Sequence, residues 1–212
     1  ASGGIYGTAY YRELYLQQKT NAAINHNDKN LAINVVGDFL NPVIFTFVVN
    51  DIFFPFQRYQ VGGHYYIKDR AYAFEQKFNR LTNFSLNKPL MSYNAAEKSA
   101  DIPMMMMAAT IMNDKRRMLF AAQPVNYLMR MPTNKKIETS EINAVDFNAL
   151  FKKHDGDGLL TTTAVRMNGS FPLIFPSVFL PTEPVTEIMD AGLLDNNGFE
   201  ITYRFLYCLK DW

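Results

Sequence analysis

An α/β fold is what this sequence predicts, and three observations predict it. Helix-patterned segments alternate with apolar, strand-like ones along the chain. The stretch from Ile102 to Val125 reads as a buried strand, a polar turn at Asn113-Asp114-Lys115 and a returning strand. A content of 48% hydrophobic and 14% aromatic residues supplies a substantial core, and 212 residues suit one large domain better than two. With no internal repeat, low-complexity tract or shift in composition to mark a boundary, residues 1–212 read as a single domain.

The elements follow in order. Ile5 to Lys19 carries good helix formers and no proline, which predicts a helix. Asn21 to Asn34 is polar and Asn-rich, a loop. Asp38 to Phe56 is the most apolar stretch, but Pro42, Asp51 and Pro55 interrupt it before it reaches the roughly 20 apolar residues of a membrane span. It reads as a buried or interfacial helix. Gly62-Gly63 reads as a turn. Ala71, Phe74, Phe78 and Leu81 recur at helical spacing behind Asp69, a candidate N-cap.

Four consecutive methionines, Met104 to Met107, read as adaptable packing in a strand buried on both sides, not as a metal or redox site. Glu141 to Lys153 suggests a helix. Ser170 to Pro181 is apolar and punctuated by prolines, an extended wall without regular structure. The final segment, Ile201 to Trp212, reads as a helix or strand.

Several function classes drop out. A net charge of +1 lacks the basic footprint of a dedicated nucleic-acid binder. The single Cys208 leaves no intrachain disulfide and no cysteine-rich zinc site. The "DGDG" at Asp155 to Gly158 lacks the later ligands and terminal glutamate of a calcium loop and reads as a turn. No metal and no organic cofactor is expected.

Two stretches carry chemistry. At the front, Ala1-Ser2-Gly3-Gly4 runs straight into the first helix, and near the end Asp190-Ala191-Gly192 forms a tight turn presenting a carboxylate. Together with Arg166 and Ser170-Phe171-Pro172, these motifs resemble the patatin-like phospholipase family, whose catalytic pair is a serine in a G-x-S-x-G elbow and an aspartate in a D-G-G or D-G-A turn. Residues 1–4 match the last four positions of the elbow, and Ala191 departs from the first glycine of the turn.

The resemblance runs to about residue 200 and implies a partial patatin-like three-layer α/β/α sandwich. The N-terminal segment of the same domain, with its glycine-rich oxyanion loop, is then expected upstream. It further implies a lipid acyl hydrolase with Ser2 as nucleophile, Asp190 as base and the Gly3 amide as an oxyanion donor. A phospholipid or other fatty-acyl ester would be the substrate. The setting would be membrane-associated in a bacterial cell, with a cytoplasmic location as the alternative.

The chemistry has stated requirements. A sharp strand-to-helix turn exposes the serine hydroxyl, and small residues at Gly3 and Gly4 let the backbone pass closely. The helix beginning near Ile5 directs its positive end at the developing oxyanion. Phe53 and Phe54 of the first apolar stretch, and Phe171 and Phe175 of the proline-punctuated wall, are the candidates for contacting acyl chains or a membrane surface.

Three other readings remain open. A cloning remnant explains Ser2-Gly3-Gly4 but not Asp190. A Ser2, Asp101 or Asp146, and His154 triad is formally possible, although His26, His64 and His154 all precede Asp190. A catalytically inactive patatin-like protein would be a membrane-associated binding or scaffolding module.

Overall fold

Two strands within residues 106–121, the second buried along its whole length, build the centre of the molecule. The computed structural model describes residues 3–30, 33, 37–55, 57–61, 64–131, 141–171 and 174–211. The Gly62-Gly63 turn lies outside them. In chain order the main elements are α1 (Gly4–Thr20), α2 (Leu40–Thr46), β1 (Arg58–Val61), β2 (His64–Ile67), α3 (Arg70–Leu81), β3 (Met106–Ile111) and β4 (Arg117–Ala121). There follow β5 (Ala144–Asp146), α4 (Thr161–Asn168), β6 (Val178–Leu180), β7 (Thr186–Met189) and α5 (Phe199–Cys208).

Five strands form a mixed sheet in the order β5-β4-β3-β7-β6. The expected hairpin is its core: β3 and β4 pair antiparallel from Met106↔Ala121 to Thr110↔Arg117. β7 joins β3 antiparallel at Thr110↔Met189, β6 joins β7 antiparallel, and β5 adds to β4 in parallel. The α/β class is therefore present, in a sheet that is mostly antiparallel because short turns join β3 to β4 and β6 to β7. β1 and β2 form a separate antiparallel pair.

The alternation of the strands divides the core in two. Met107, Ala109 and Ile111 of β3, with Met118 and Phe120 of β4, pack with Ile5, Ala9 and Leu14 of α1, Phe78 of α3 and Val165 of α4. On the opposite face, Leu119 and Ala121 of β4 and Ala144 of β5 pack with Ile201 of α5, joined by Met106, Ala108 and Phe205. The methionine run is split accordingly: Met105 and Met107 belong to the first cluster, Met104 and Met106 to the second.

α1 docks through charge as well as apolar contact. Arg12 pairs with Glu97 and donates from Nε to the Pro103 carbonyl at 2.8 Å. Glu13 accepts from the Tyr93 hydroxyl at 2.5 Å and from Lys88 Nζ at 2.9 Å. Burial pushes the Glu97 carboxyl up and the Arg12 guanidinium down, and each partner opposes the shift of the other. α3 begins where expected, with the Asp69 carboxylate accepting from the Tyr72 amide at 2.8 Å.

Three expectations are corrected. Residues 141–153 are not one helix: residues 144–146 are β5, and only Phe147–Leu150 is helical. Asp146 enforces the break, because its carboxylate accepts from the Asn148 and Val125 amides at 3.0 and 3.2 Å. The proline-punctuated wall contains a strand, β6, at the sheet edge, where prolines just outside it cost no ladder bond. The apolar stretch after Asp38 is helical, α2 continuing as a π-helical segment, Phe47–Phe53, and of the two readings, buried or interfacial, the buried one fails, since Phe45, Phe53 and Phe54 are exposed. Among the described residues no helix is long and apolar enough to cross a membrane.

Two glycines give opposite expectations. A Cβ at Gly169 would sit 2.7 Å from the Tyr6 ring, which is itself held edge-on between Phe74 and Phe78. Gly169→Ala should lower unfolding free energy in urea by about 1–3 kcal/mol. Gly7 is exposed within α1 and a Cβ there meets nothing within 4 Å. Gly7→Ala should raise stability by about 0.5–1 kcal/mol in the same titration.

Candidate active site

The aspartate turn is built by its neighbours in the sheet. Asp190 follows the last residue of β7 and is fully buried. Its amide donates to the Ser170 carbonyl at 3.2 Å, and its carbonyl accepts from the Thr110 hydroxyl at 2.8 Å. Its carboxylate Oδ1 accepts from the Gly192 amide at 2.5 Å. The next residue, Ala191, has φ −59° and ψ −31°, ordinary right-handed backbone. The turn therefore needs no glycine at this position, which explains why alanine is tolerated there. Ala191 donates its amide to the Asn168 carbonyl at 3.1 Å, and Asn168 Oδ1 accepts from the Ala108 amide of β3 at 2.9 Å.

The start of α1 forms the facing wall. Gly3 precedes the helix with right-handed backbone, and neither a side-chain cap nor an acidic residue occupies the first turn. The Tyr6 amide donates to the Gly3 carbonyl at 3.4 Å, and no side-chain cap takes up the amides ahead of it. Contrary to the sequence expectation, no neighbour crowds the glycines, because a Cβ at Gly3 or Gly4 would meet nothing within 4 Å. What their small size does here is keep the wall open. A cavity of about 690 Å³ lies beside it, lined by Gly3, Gly4, Ile5 and Thr8 on one side. Met104 to Ala108 and Asn168 line another side, and Ala191 with Asp195 to Gly198 completes it.

The loop from Asp195 to Gly198 is held by a cap: the Asp195 carboxylate accepts from the Phe199 and Glu200 amides at 3.1 and 2.9 Å. Gly198 at φ 73° permits the chain to reverse into α5.

Of the residues singled out in the sequence, Gly3 lines this cavity, as does Ala191 after Asp190; Asp190 itself is fully buried and does not line it, while Ser2 lies outside the described residues. None of Phe53, Phe54, Phe171 and Phe175 lines it. Phe53 and Phe54 are on the exterior of the π-helical segment, and Phe171 is exposed beside Ser170. Phe175 is core: it packs with Val43 and Ala71, its ring 5.0 Å from that of Phe74.

The alternative triad residues are not at the cavity. His154 is exposed in the turn after residue 150, Asp101 pairs with Lys19 at 2.8 Å, and Asp146 is used in capping. His26 is engaged with Gln18 and packs against Tyr11 and Tyr15. Among the described residues no cluster of His, Cys, Asp and Glu is arranged to hold a metal.

Comparison with family models, curated proteins and solved structures finds no match to this chain. Its site is read from its own geometry.

Between α3 and α4 lies a buried polar cluster that the sequence did not announce. Arg166 Nε is 2.8 Å from Glu75 Oε2, an ion pair between α4 and α3, and Glu75 Oε1 accepts from the Thr163 hydroxyl at 2.9 Å. Burial alone lowers the affinity of the Arg166 guanidinium for its proton, but Glu75, Tyr59, Asp69 and Tyr6 together hold it above the ordinary value. The Tyr6 hydroxyl is held far above the usual phenol range, chiefly by burial and further by Glu75 and Asp190, against the pull of Arg166. The only sequence signal was Arg166; nothing local marked Glu75 or Tyr6.

Asn168 ties the turn to β3, so Asn168→Ala should leave the Ala108 amide without its acceptor in a partly buried setting. We expect a loss of about 1–3 kcal/mol in urea unfolding, and faster hydrogen exchange at the Ala108 amide than at the Ala191 amide, whose acceptor is the backbone carbonyl that alanine keeps.

Proposed function

We propose that this protein is a lipid acyl hydrolase, cleaving a phospholipid or other fatty-acyl ester through a Ser2–Asp190 dyad in a patatin-like three-layer α/β/α sandwich. One observation carries the reading: the start of α1 at Gly3-Gly4 and the Ala191 turn, which come from opposite ends of the sequence, line the same cavity. Ser2 directly precedes Gly3, and Asp190 directly precedes Ala191. The cover of helices on both faces of the sheet supports the sandwich.

In this scheme Ser2 Oγ attacks the acyl carbonyl carbon while its proton passes to the Asp190 carboxylate. The carbonyl electrons move onto oxygen, where the Gly3 amide and the positive end of α1 stabilise the oxyanion. Collapse expels the alcohol, which takes the proton back from Asp190 and leaves an acyl-serine. Water, losing a proton to Asp190, then attacks the acyl carbonyl, and collapse releases the fatty acid while Ser2 Oγ takes that proton back from Asp190. No metal or organic cofactor enters these steps. The cavity wall of Met104 to Met107 offers an apolar lining for part of an acyl chain. A membrane-associated setting in a bacterial cell fits a lipid substrate.

A second reading is favoured by the hydrogen bond from the Gly192 amide to Asp190 Oδ1. That bond is also what an aspartate with a purely structural role in the turn would make, and the protein would then be an inactive binding or scaffolding module. A fluorophosphonate probe separates the two. Under the hydrolase reading it labels the protein at Ser2, Ser2→Ala abolishes both labelling and turnover of a short-chain ester, and the melting temperature is unchanged. Ester turnover by Ser2→Ala above about a tenth of wild type, a loss of under 1.4 kcal/mol in transition-state stabilisation, overturns the nucleophile assignment.

A further inference from the structure

α2 and its π-helical continuation face α3 across a cavity of about 290 Å³. Pro42, Thr46 and Asn50 recur every four residues along one wall, and Asp69, Ala73 and Lys77 do the same along the other, with Arg80 a turn further on. The two helices run antiparallel. Asn50 donates from Nδ2 to the Lys68 carbonyl at 3.3 Å at one end, and Phe39 packs on Phe74 and Phe78 towards the other.

Two observations set this groove apart. The first is charge: Lys68, Lys77 and Arg80 line it against a single carboxylate, Asp69, a surplus of two positive charges. None of the three cations forms an ion pair among the described residues, whereas Arg70, just outside, pairs with Asp51 at 2.6 Å. The second is Thr46, which is 6% exposed and lines the cavity. Its hydroxyl has no hydrogen-bond partner among the described residues, not even the Pro42 carbonyl one turn back. A buried hydroxyl without a partner costs stability until something satisfies it. Lys77 and Arg80 stand one turn apart on the same face, so both reach one anionic group. From Lys77 the groove runs about 12 Å back along α3 to Asp69, over the small Ala73 and past Thr46. At that end the Asn50 carbonyl oxygen and the Asp69 carboxylate are acceptors for hydroxyl groups. Phe45, Phe47, Phe53 and Phe54 do not line the groove, so an acyl chain finds none of these rings there.

We propose that the groove between α2 and α3 binds a small, water-soluble phosphate monoester with a hydroxylated body, of the size of a sugar phosphate. Lys77 and Arg80 hold the dianionic phosphate, and Thr46, Asn50 and Asp69 take the hydroxyls. The groove shares no lining residue with the cavity at Gly3 and Ala191, and this site stands whether or not Ser2 and Asp190 are catalytic.

The test is isothermal titration calorimetry at low salt with glucose 6-phosphate, glucose and inorganic phosphate. Glucose 6-phosphate should bind about ten-fold more tightly than either of the others. Lys77→Gln/Arg80→Gln should weaken that binding about thirty-fold or more. The exposed pair Lys152→Gln/Lys153→Gln, outside the groove, should leave it unchanged. Thr46→Val should weaken it about five-fold without lowering the melting temperature, because the hydroxyl it removes bonds no other described residue. Circular dichroism melts should show Lys77→Gln/Arg80→Gln folded, since neither cation has an ion pair to lose among the described residues. No binding of glucose 6-phosphate up to about 10 mM, binding undiminished in Lys77→Gln/Arg80→Gln, or an equal loss in Lys152→Gln/Lys153→Gln overturns the proposal. Inorganic phosphate bound as tightly as glucose 6-phosphate overturns it in favour of a plain anion site. Dihexanoyl phosphatidic acid, below its micellar concentration, bound more tightly than glucose 6-phosphate overturns it in favour of a lipid headgroup.

Discussion

The geometry of the site depends on Asn168. Its side chain accepts from β3 and its backbone carbonyl accepts from Ala191, so the last residue of α4 joins the central strand to the aspartate turn. Ser170, two residues on, accepts from the Asp190 amide, and its own hydroxyl closes back on the Arg166 carbonyl at 2.7 Å. With the Thr110 hydroxyl on the Asp190 carbonyl, the turn is held from three directions. A carboxylate placed this way loses little entropy when a reacting group arrives, because its backbone is already fixed.

The polar groups inside this molecule are arranged around helix contacts and not scattered. Arg12, Glu13 and Glu97 hold α1, Glu75 with Arg166 joins α3 to α4, and Arg204 of α5 pairs with Glu200 and donates to the Leu128 carbonyl at 2.8 Å. Buried charges of this kind add little net stability over apolar residues of the same size, yet each is costly to leave unpaired. Their effect is on which packing is allowed: a helix shifted by one turn would leave a charge buried alone. The two apolar clusters supply the driving force, and the ion pairs select the register.

What was legible in the sequence is what local chemistry decides. α1, α3 with its Asp69 cap, and the β3–β4 hairpin follow from propensity, helical spacing and a polar turn, and the structure has all three. The Asp190 turn was legible for the same reason. β5 was not, because three residues become a strand only through parallel pairing with β4, a contact no local pattern encodes. The apolar content of residues 38–56 was plain, but which side faces water depends on Val43 packing against Ala71 and Phe175 and on Asn50 and Asp51 finding partners elsewhere. Phe175 looked like part of an open wall and is core, because α2 and α3 supply Val43, Ala71 and Phe74 around it. The Glu75–Arg166 pair joins two helices far apart in the chain, so neither residue signals the other.

The methionine run has a chemical consequence beyond packing. Met104 and Met106 are partly exposed and line the large cavity, so one wall of it consists of thioethers. Such side chains adapt to differently shaped occupants by turning about unbranched bonds. They are also the apolar residues most readily converted to polar ones, since a single oxygen atom makes each a sulfoxide. Oxidation of Met104 and Met106 would thus turn this wall of the cavity from apolar to polar without any change of sequence.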